Sequence, residues 1–232
     1  MERPDQPTLL AALDATWLPA KIWQDGPLRH ADGQGGGKRV SATRLTGQLE
    51  GAAAALATTP LIQVPDGADA LEGHLAATHD PVDPTAFFAI KAQTIAARHP
   101  EIYLADAPVA AMRRIWAEDG VGPARLAVMD RVRGPKTCLL ARDAGGVAGV
   151  AFVAAAGDVA MLHALYVPEH ARRKGLAGRM TRAAADWALS HGAPTLALAV
   201  VRANAPAIAL YEGLGMTPAG GYHYRALKQD WA

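Results

Sequence analysis

Residues 161–178 read MLHALYVPEHARRKGLAG. The apolar run over 161–167 ends in β-branched Val167, and Pro168 stops it. Three cations follow, Arg172, Arg173 and Lys174, and then a turn of small residues, Gly175-Leu176-Ala177-Gly178. From Leu176 the apolar positions change period: Leu176, Met180, Ala183, Ala184 and Trp187 recur at helical spacing. The stretch predicts strand, turn and helix in succession. Backbone N–H groups converge at such a turn, and the helix start adds partial positive charge. Small residues let the backbone close on a ligand, and the cations suit the same polyanion. The chemistry is that of a pyrophosphate cradle; the plainer reading is a basic helix start on a solvated face. It is neither the dinucleotide fingerprint G-x-G-x-x-G nor a P-loop, which needs a Lys-Ser/Thr pair.

The rest of the composition bounds what surrounds this cradle. The chain has 232 residues, half of them hydrophobic, enough for one large domain or two small ones. A formal net charge of +1 gives no general pull toward nucleic acid or membrane, so the basic cluster is local. No apolar run approaches the ~20 residues of a membrane span. The start, MERPDQPTLL, carries no secretion pattern, and a reducing cytoplasm is the expected location. The single Cys138 lies in an apolar strand-like run and reads as a buried, inert thiol. No residue is assigned to a metal.

Upstream, residues 6–15 predict a short helix with Leu9, Leu10 and Leu13 on one side. Gly26-Pro27 is a turn. The Gly-rich run 33–37 reads as a connection between two strands rather than a phosphate loop, because no helical pattern opens directly after it. Residues 48–56 predict a helix, 61–64 a strand, 69–77 a helix, 81–84 a break at Pro81 and Pro84, and 85–90 a strand. Downstream come a strand at 101–104, helices on either side of Gly120-Val121-Gly122-Pro123, and a strand pair, 136–142 and 147–156, joined by Asp143-Ala144-Gly145-Gly146. The central strand 159–167 and its helix follow. A buried strand at 195–201, a short helix at 205–213 and a last strand at 220–226 complete the order. Glu118 and Asp119, at the helix break, read as solvated carboxylates or as a receiver for a cationic amine.

The spacing Arg172-x-x-Gly175-x-Ala177 resembles the acetyl-CoA motif of the GNAT acetyltransferases, R/Q-x-x-G-x-G/A, and the lead-in Leu165-Tyr166-Val167-Pro168 is typical of that family. Residues 202–216, RANAPAIALYEGLGM, resemble its second signature, N-x-x-A-x-x-x-Y-x-x-x-G-F, with Met216 in place of Phe. The resemblance covers roughly residues 101–226. It implies an α/β GNAT fold, a mixed central sheet flanked by helices. Element order alone extends it to two GNAT-like halves in tandem, a degenerate one at 1–90 and a catalytic one at 91–232.

The resemblance also implies a site. Two parallel strands splay, and the pantetheine arm of acetyl-CoA, the co-substrate, lies in the gap against Leu165, Tyr166 and Val167. The pyrophosphate falls on Arg172, Arg173, Lys174, Gly175, Leu176, Ala177 and Gly178. Asn204 is expected on the pantetheine or as a helix cap. Tyr211 takes the place of the general acid that protonates the leaving thiolate; the alternative is a core tyrosine. His163 resembles a histidine lining the acceptor channel of arylalkylamine N-acetyltransferases. Strand alternation sets it on the face of Met161, Leu165 and Val167, and it reads equally as a base or as a hydrogen-bonded core histidine. His223 is a weaker candidate. The implied reaction moves an acetyl group from acetyl-CoA to a primary amine, on a small molecule or a peptide, in a ternary complex. A non-catalytic acyl-CoA-binding module and a protein N-acetyltransferase are the rivals. Members of the superfamily often dimerise, so the resemblance leaves a homodimer open without fixing the oligomeric state.

Overall fold

The computed structural model describes residues 3–228. The first helix, α1 (Gln6–Thr16), opens where Asp5 Oδ1 accepts from the Thr8 N–H at 2.9 Å, which satisfies one otherwise unpaired helix donor. A hairpin of β1 (Lys21–Asp25) and β2 (Leu28–Asp32) turns at Gly26-Pro27, and β3 (Arg44–Leu45) pairs back on β2. The Gly-rich run therefore does connect two paired strands, with a single 3-10 turn, Lys38–Val40, inside the connection. The helix expected over 48–56 shrinks to one turn, α2 (Ala53–Leu56). Gly51 lies within the expected span, and a glycine costs a helix about 1 kcal/mol relative to alanine.

Then come β4 (Leu61–Pro65), α3 (Asp69–Leu75) and β5 (His79–Lys91). The break expected at 81–84 is absent: β5 runs through both prolines. The reason is positional. Beside Thr85 the neighbouring strand ends, so residues 79–84 have a ladder on one side only. A register shift between Tyr222 and Tyr224 absorbs Asp83, which sits at φ +49°, and Pro84. Proline is tolerated at such one-sided, bulged positions.

The second stretch supplies β6 (Ile102–Ala105), α4 (Ala110–Glu118), α5 (Pro123–Arg131), β7 (Lys136–Asp143), β8 (Gly146–Ala156) and β9 (Val159–Tyr166). After these come α6 (Leu176–Ser190), β10 (Thr195–Val201), α7 (Ala205–Gly213) and β11 (Thr217–Leu227). One eight-stranded sheet runs β4-β11-β5-β10-β9-β8-β7-β6. Within it β9 and β10 are parallel and the other pairs antiparallel. The boundary expected after residue 90 falls at the end of β5, a strand seated between β10 and β11.

Helices cover both faces. Leu9 and Leu13 of α1, Met112 and Trp116 of α4, and Met129 of α5 share a core with Phe87, Phe152 and Met161. On the other face Leu176, Met180, Ala184 and Trp187 of α6 pack with Tyr211 of α7 on Leu139, Leu162 and Leu198. The helical spacing read from Leu176 onward is this buried stripe. Each large side chain so buried contributes about 1.5–3 kcal/mol. Among the described residues no helix is long and apolar enough to cross a membrane.

Candidate active site

The parallel pair β9/β10 comes apart. Its pairing runs from Val159 opposite Thr195 to Leu162 opposite Leu198 and stops there. Beyond that point β10 stays with β5, Val201 facing Thr85. The cause lies in β9. His163 faces Phe152 on β8, but the next ladder pair is Tyr166 with Val150, so Ala164 and Leu165 together oppose Ala151. This bulge holds Ala164 at φ +47°, a strain of about 1–3 kcal/mol for a side chain with a Cβ. The Trp116 indole N–H donates to the Ala164 carbonyl at 2.8 Å and fixes the distortion.

The bulge also corrects the expected alternation. His163 lies on the α1 side, its ring 5.0 Å from Trp17 and 6.1 Å from Phe152. Leu165 and Val167 pack instead on the α6 side. His163 does share its face with Met161, as expected, but not with Leu165 and Val167.

The cradle follows at once. Pro168 leads into a 3-10 turn, Glu169–Ala171, then Arg173 at φ +64° and Gly175 at φ +72° reverse the chain into α6. Among the described residues no side chain caps that helix, so its first N–H groups carry the positive end of the dipole with no side-chain oxygen against them. Gly175 is favoured by its left-handed φ; a Cβ there would lie 3.2 Å from Arg179 Nη1, which the flexible arginine end can relieve. Arg172, Arg173 and Lys174 are all exposed. Arg172 Nε donates to the Val167 carbonyl at 2.9 Å and its guanidinium lies 5.9 Å from the Tyr166 ring centroid, while Lys174 pairs with Asp143 at 3.3 Å. The carbonyl of Val167, a residue expected against the pantetheine arm, thus already accepts a bond from Arg172. Leu176 is buried and anchors the helix start; Ala177 and Gly178 are half-buried, and a Cβ at Gly178 would meet Leu210 of α7 at 3.7 Å.

Asn204 caps α7, its Oδ1 accepting from the Ala207 N–H at 3.2 Å. Tyr211, on that helix, is 7% exposed with its ring 6.3 Å from Phe88. Burial alone pushes its phenol up to about 12, so it holds its proton throughout the neutral range. His163 is held differently. The Thr16 hydroxyl donates to the Ala12 carbonyl at 2.7 Å and lies 2.9 Å from His163 Nε2. The ring therefore donates from Nε2 and keeps its lone pair on Nδ1, which is buried without a partner among the described residues. Burial, and then the Arg39 guanidinium, push this imidazole well below its ordinary range. His223 is remote from the fork and sits 2.9 Å from Glu72. Cys138 is buried, its thiol pushed up to about 11 by burial.

A cavity of about 260 Å³ opens where the strands part, reaching Ala164 of β9 and Val201 of β10. Trp17, Gly36, Gly37, Arg39, Asp119, Val121, Tyr222 and Tyr224 are among the residues that line it. A Cβ at Gly36 would come within 2.5 Å of Val128 Cγ2, so only glycine lets this loop lie on α5. Arg39 Nε donates to the Tyr222 hydroxyl at 3.2 Å. Of the two acidic candidates, Asp119 lines the cavity and its carboxyl is raised by partial burial against the pull of Arg125 and Arg172; Glu118 does not line it. Sequence reasoning missed Trp17, Arg39, Arg125, Tyr222 and Tyr224. They lie far apart in the chain, and only the Gly-rich run beside Arg39 gave a local signal.

Comparison with known proteins agrees with this geometry. The family model described as the acetyltransferase (GNAT) family matches residues 100–216, half of the chain. An uncharacterized N-acetyltransferase, YobR of Bacillus subtilis (strain 168), is 28% identical over 98 residues, which are 42% of this chain and 40% of that protein. A GCN5-related N-acetyltransferase from Kribbella flavida superposes with a TM-score of 0.70 at 16% identity, covering 94% of both chains. A tandem GNAT protein from the clavulanic acid biosynthesis pathway superposes with a TM-score of 0.59 at 14% identity, covering 96% of this chain and 88% of that one. At such identities the superpositions speak for the fold. The two signatures, the forked strands and the family match together show that the chain belongs to the GNAT acetyltransferase family.

Proposed function

We propose that this protein transfers the acetyl group of acetyl-CoA to a primary amine by direct attack in a ternary complex. The observation that carries the reading is the juxtaposition of the β9/β10 fork with the uncapped start of α6. The fork offers unpaired backbone to a pantetheine arm, and the helix start offers N–H donors and cations to its pyrophosphate. The residues present fit the donor: Leu165–Val167 line the fork, and Arg173 and Gly175 set the turn. The fork and cradle belong to residues 91–232, and residues 1–90 supply Trp17, Gly36, Gly37 and Arg39 to the acceptor side. We keep the division at residue 90 into two GNAT-like units as part of this proposal, together with a cytoplasmic location suited to a free thiol.

In the reaction the neutral amine nitrogen attacks the thioester carbonyl carbon. The C–N bond forms, the tetrahedral species collapses, and the C–S bond breaks. Tyr211 gives its phenolic proton to the departing sulfur, and the proton released from the nitrogen returns to solvent, from which Tyr211 is reprotonated. A phenol held protonated well above neutrality is in the form an acid needs, while the burial that keeps it protonated lowers its driving force to release the proton. His163 suits a base poorly: an imidazole pushed far below pH 7 and hydrogen-bonded to Thr16 has little driving force to take a proton. We therefore assign proton removal to water at the mouth of the cavity, beside Asp119, and give His163 the role of holding α1 against β9. Release of CoA from acetyl-CoA in the presence of an amine panel tests the reading, alongside calorimetry of acetyl-CoA binding. Tight binding with no turnover of any amine would leave the acyl-CoA-binding module instead.

A further inference from the structure

The acceptor cavity is neither the acidic groove expected of a polyamine site nor an apolar pocket. Its formal charges are Lys38, Arg39 and Arg125 against Asp83 and Asp119. Lys38 and Asp83 satisfy each other at 3.0 Å. That leaves two guanidinium groups and one carboxylate facing the same space. Neither Arg39 nor Arg125 is ion-paired among the described residues. Arg39 is half-buried and donates to Tyr222, a residue 1% exposed, with the Tyr224 phenol also against it. The Tyr222 hydroxyl accepts that bond and also meets the Tyr224 phenol, so the guanidinium and the two phenols form one polar cluster. Arg125 is an exposed residue of the lining, its Nε 3.6 Å from where a Cβ on Gly37 would be. A partly desolvated cation without a counter-charge is costly, and an anionic ligand relieves the cost with charge-assisted hydrogen bonds.

The arrangement has two ends. One is the fork, Ala164 and Val201, where the proposed reaction brings the thioester. The other is Arg39 with Tyr222, two strands from Val201, since Thr85 of β5 pairs with Val201 on one side and with Tyr222 on the other. We propose that the acceptor is an amino carboxylic acid: its amine reaches the fork and its carboxylate seats on the Arg39 guanidinium and the Tyr222 hydroxyl, with Arg125 closing over it. The proposal rests on the acetyltransferase reading above and adds the acceptor class to it. Arg39 is then a specificity-determining residue whose contact is with the substrate's far end.

The test is a set of primary amines of graded length, each offered as the carboxylic acid and as its carboxamide. CoA release gives kcat/KM, and calorimetry on the CoA-loaded protein gives acceptor affinity without chemistry. The acids are expected to exceed their amides by about 10-fold or more, the scale of a hydrogen bond to a charged group. Arg39→Gln should erase that preference, raising KM for the acids by about 10-fold and for the amides by less, since a neutral donor replaces the cation. Equal use of acid and amide by the wild type, or a preference that survives Arg39→Gln, overturns the proposal. If acetyl-CoA binds but no amine turns over, the acetyltransferase reading has failed. The acceptor class is then decided by calorimetry alone: acid binding that exceeds amide binding and depends on Arg39 upholds an amino carboxylate site, and equal or absent binding overturns it.

Discussion

The donor side and the acceptor side of this site are built in opposite ways. The cradle and one arm of the fork come from one continuous run, Ala164 to Gly178, and the other arm, β10, follows after α6 with Asn204 and Tyr211 close behind it. The acceptor cavity draws Trp17, Arg39, Asp119, Arg125 and Tyr222 from five separate segments. A site made of backbone N–H groups and a left-handed glycine has to be local, because only neighbouring residues share one turn. A site made of side chains can be assembled from any elements that the sheet brings together. Donor and acceptor functions should therefore separate cleanly on mutation.

The largest separation is expected at Tyr211. Tyr211→Phe removes a hydroxyl from a well-packed ring, so the acetyl-CoA Kd should barely move. Turnover should fall by roughly 10²–10⁴-fold, the range of a positioned acid. Unchanged turnover with chemistry rate-limiting would return Tyr211 to the core. Next is Gly175→Asp, which puts a carboxylate and a strained Cβ into the cradle. Acetyl-CoA affinity measured by calorimetry should drop by about 10²-fold, the loss of charge-assisted donors worth roughly 1.5–3 kcal/mol. A folded Gly175→Asp protein with normal affinity would remove the cradle from the donor side. Arg172→Ala should cost only a few-fold, on the roughly 0.2–1 kcal/mol scale of exposed charge contacts, because the backbone donors remain.

Arg39→Ala gives the sharpest contrast. It should leave acetyl-CoA affinity within about twofold, since Arg39 touches the acceptor end and carries no donor contact. A large loss would merge the two sides into one. The smallest effect is on stability. With its folded pKa depressed, His163 refuses a proton that the unfolded chain accepts below about pH 6.5. Its contribution is therefore complete above that pH and lost as the pH falls. The stability difference between wild type and His163→Gln should shrink between about pH 7.5 and about pH 5.5, by up to 1.4 kcal/mol per pH unit. Parallel melting curves at both pH values would show that the imidazole is not so held.

The same contrast explains what the amino-acid sequence disclosed. The strand–turn–helix at 161–178, the hairpin at Asp143–Gly146 and the Asn204 cap were legible because each is written in consecutive residues. The bulge at Ala164 was not: no glycine marks it, and what holds it is an indole 48 residues away. That unseen bulge is why strand alternation misplaced Leu165 and Val167. The run through Pro81 and Pro84 was equally hidden, because proline is excluded from a strand only where both edges are paired. Arg39 follows a Gly-rich run that reads as a plain strand connection, and its partner, Tyr222, lies 183 residues on.

The place of β5 sets an order of events during synthesis. Its ladder partners, β10 and β11, begin more than 100 residues after it ends. On a ribosome that adds about 5–20 residues per second, β5 emerges and then waits several seconds with both edges bare. The sheet can be sealed at its middle only when nearly the whole chain is out. Phe87, Phe88 and Ala89 are buried in the finished sheet and would be the segment most in need of shelter in that interval. Nascent chains stalled before residue 195 should accordingly expose this strand to chaperones or to each other, whereas chains released whole should not.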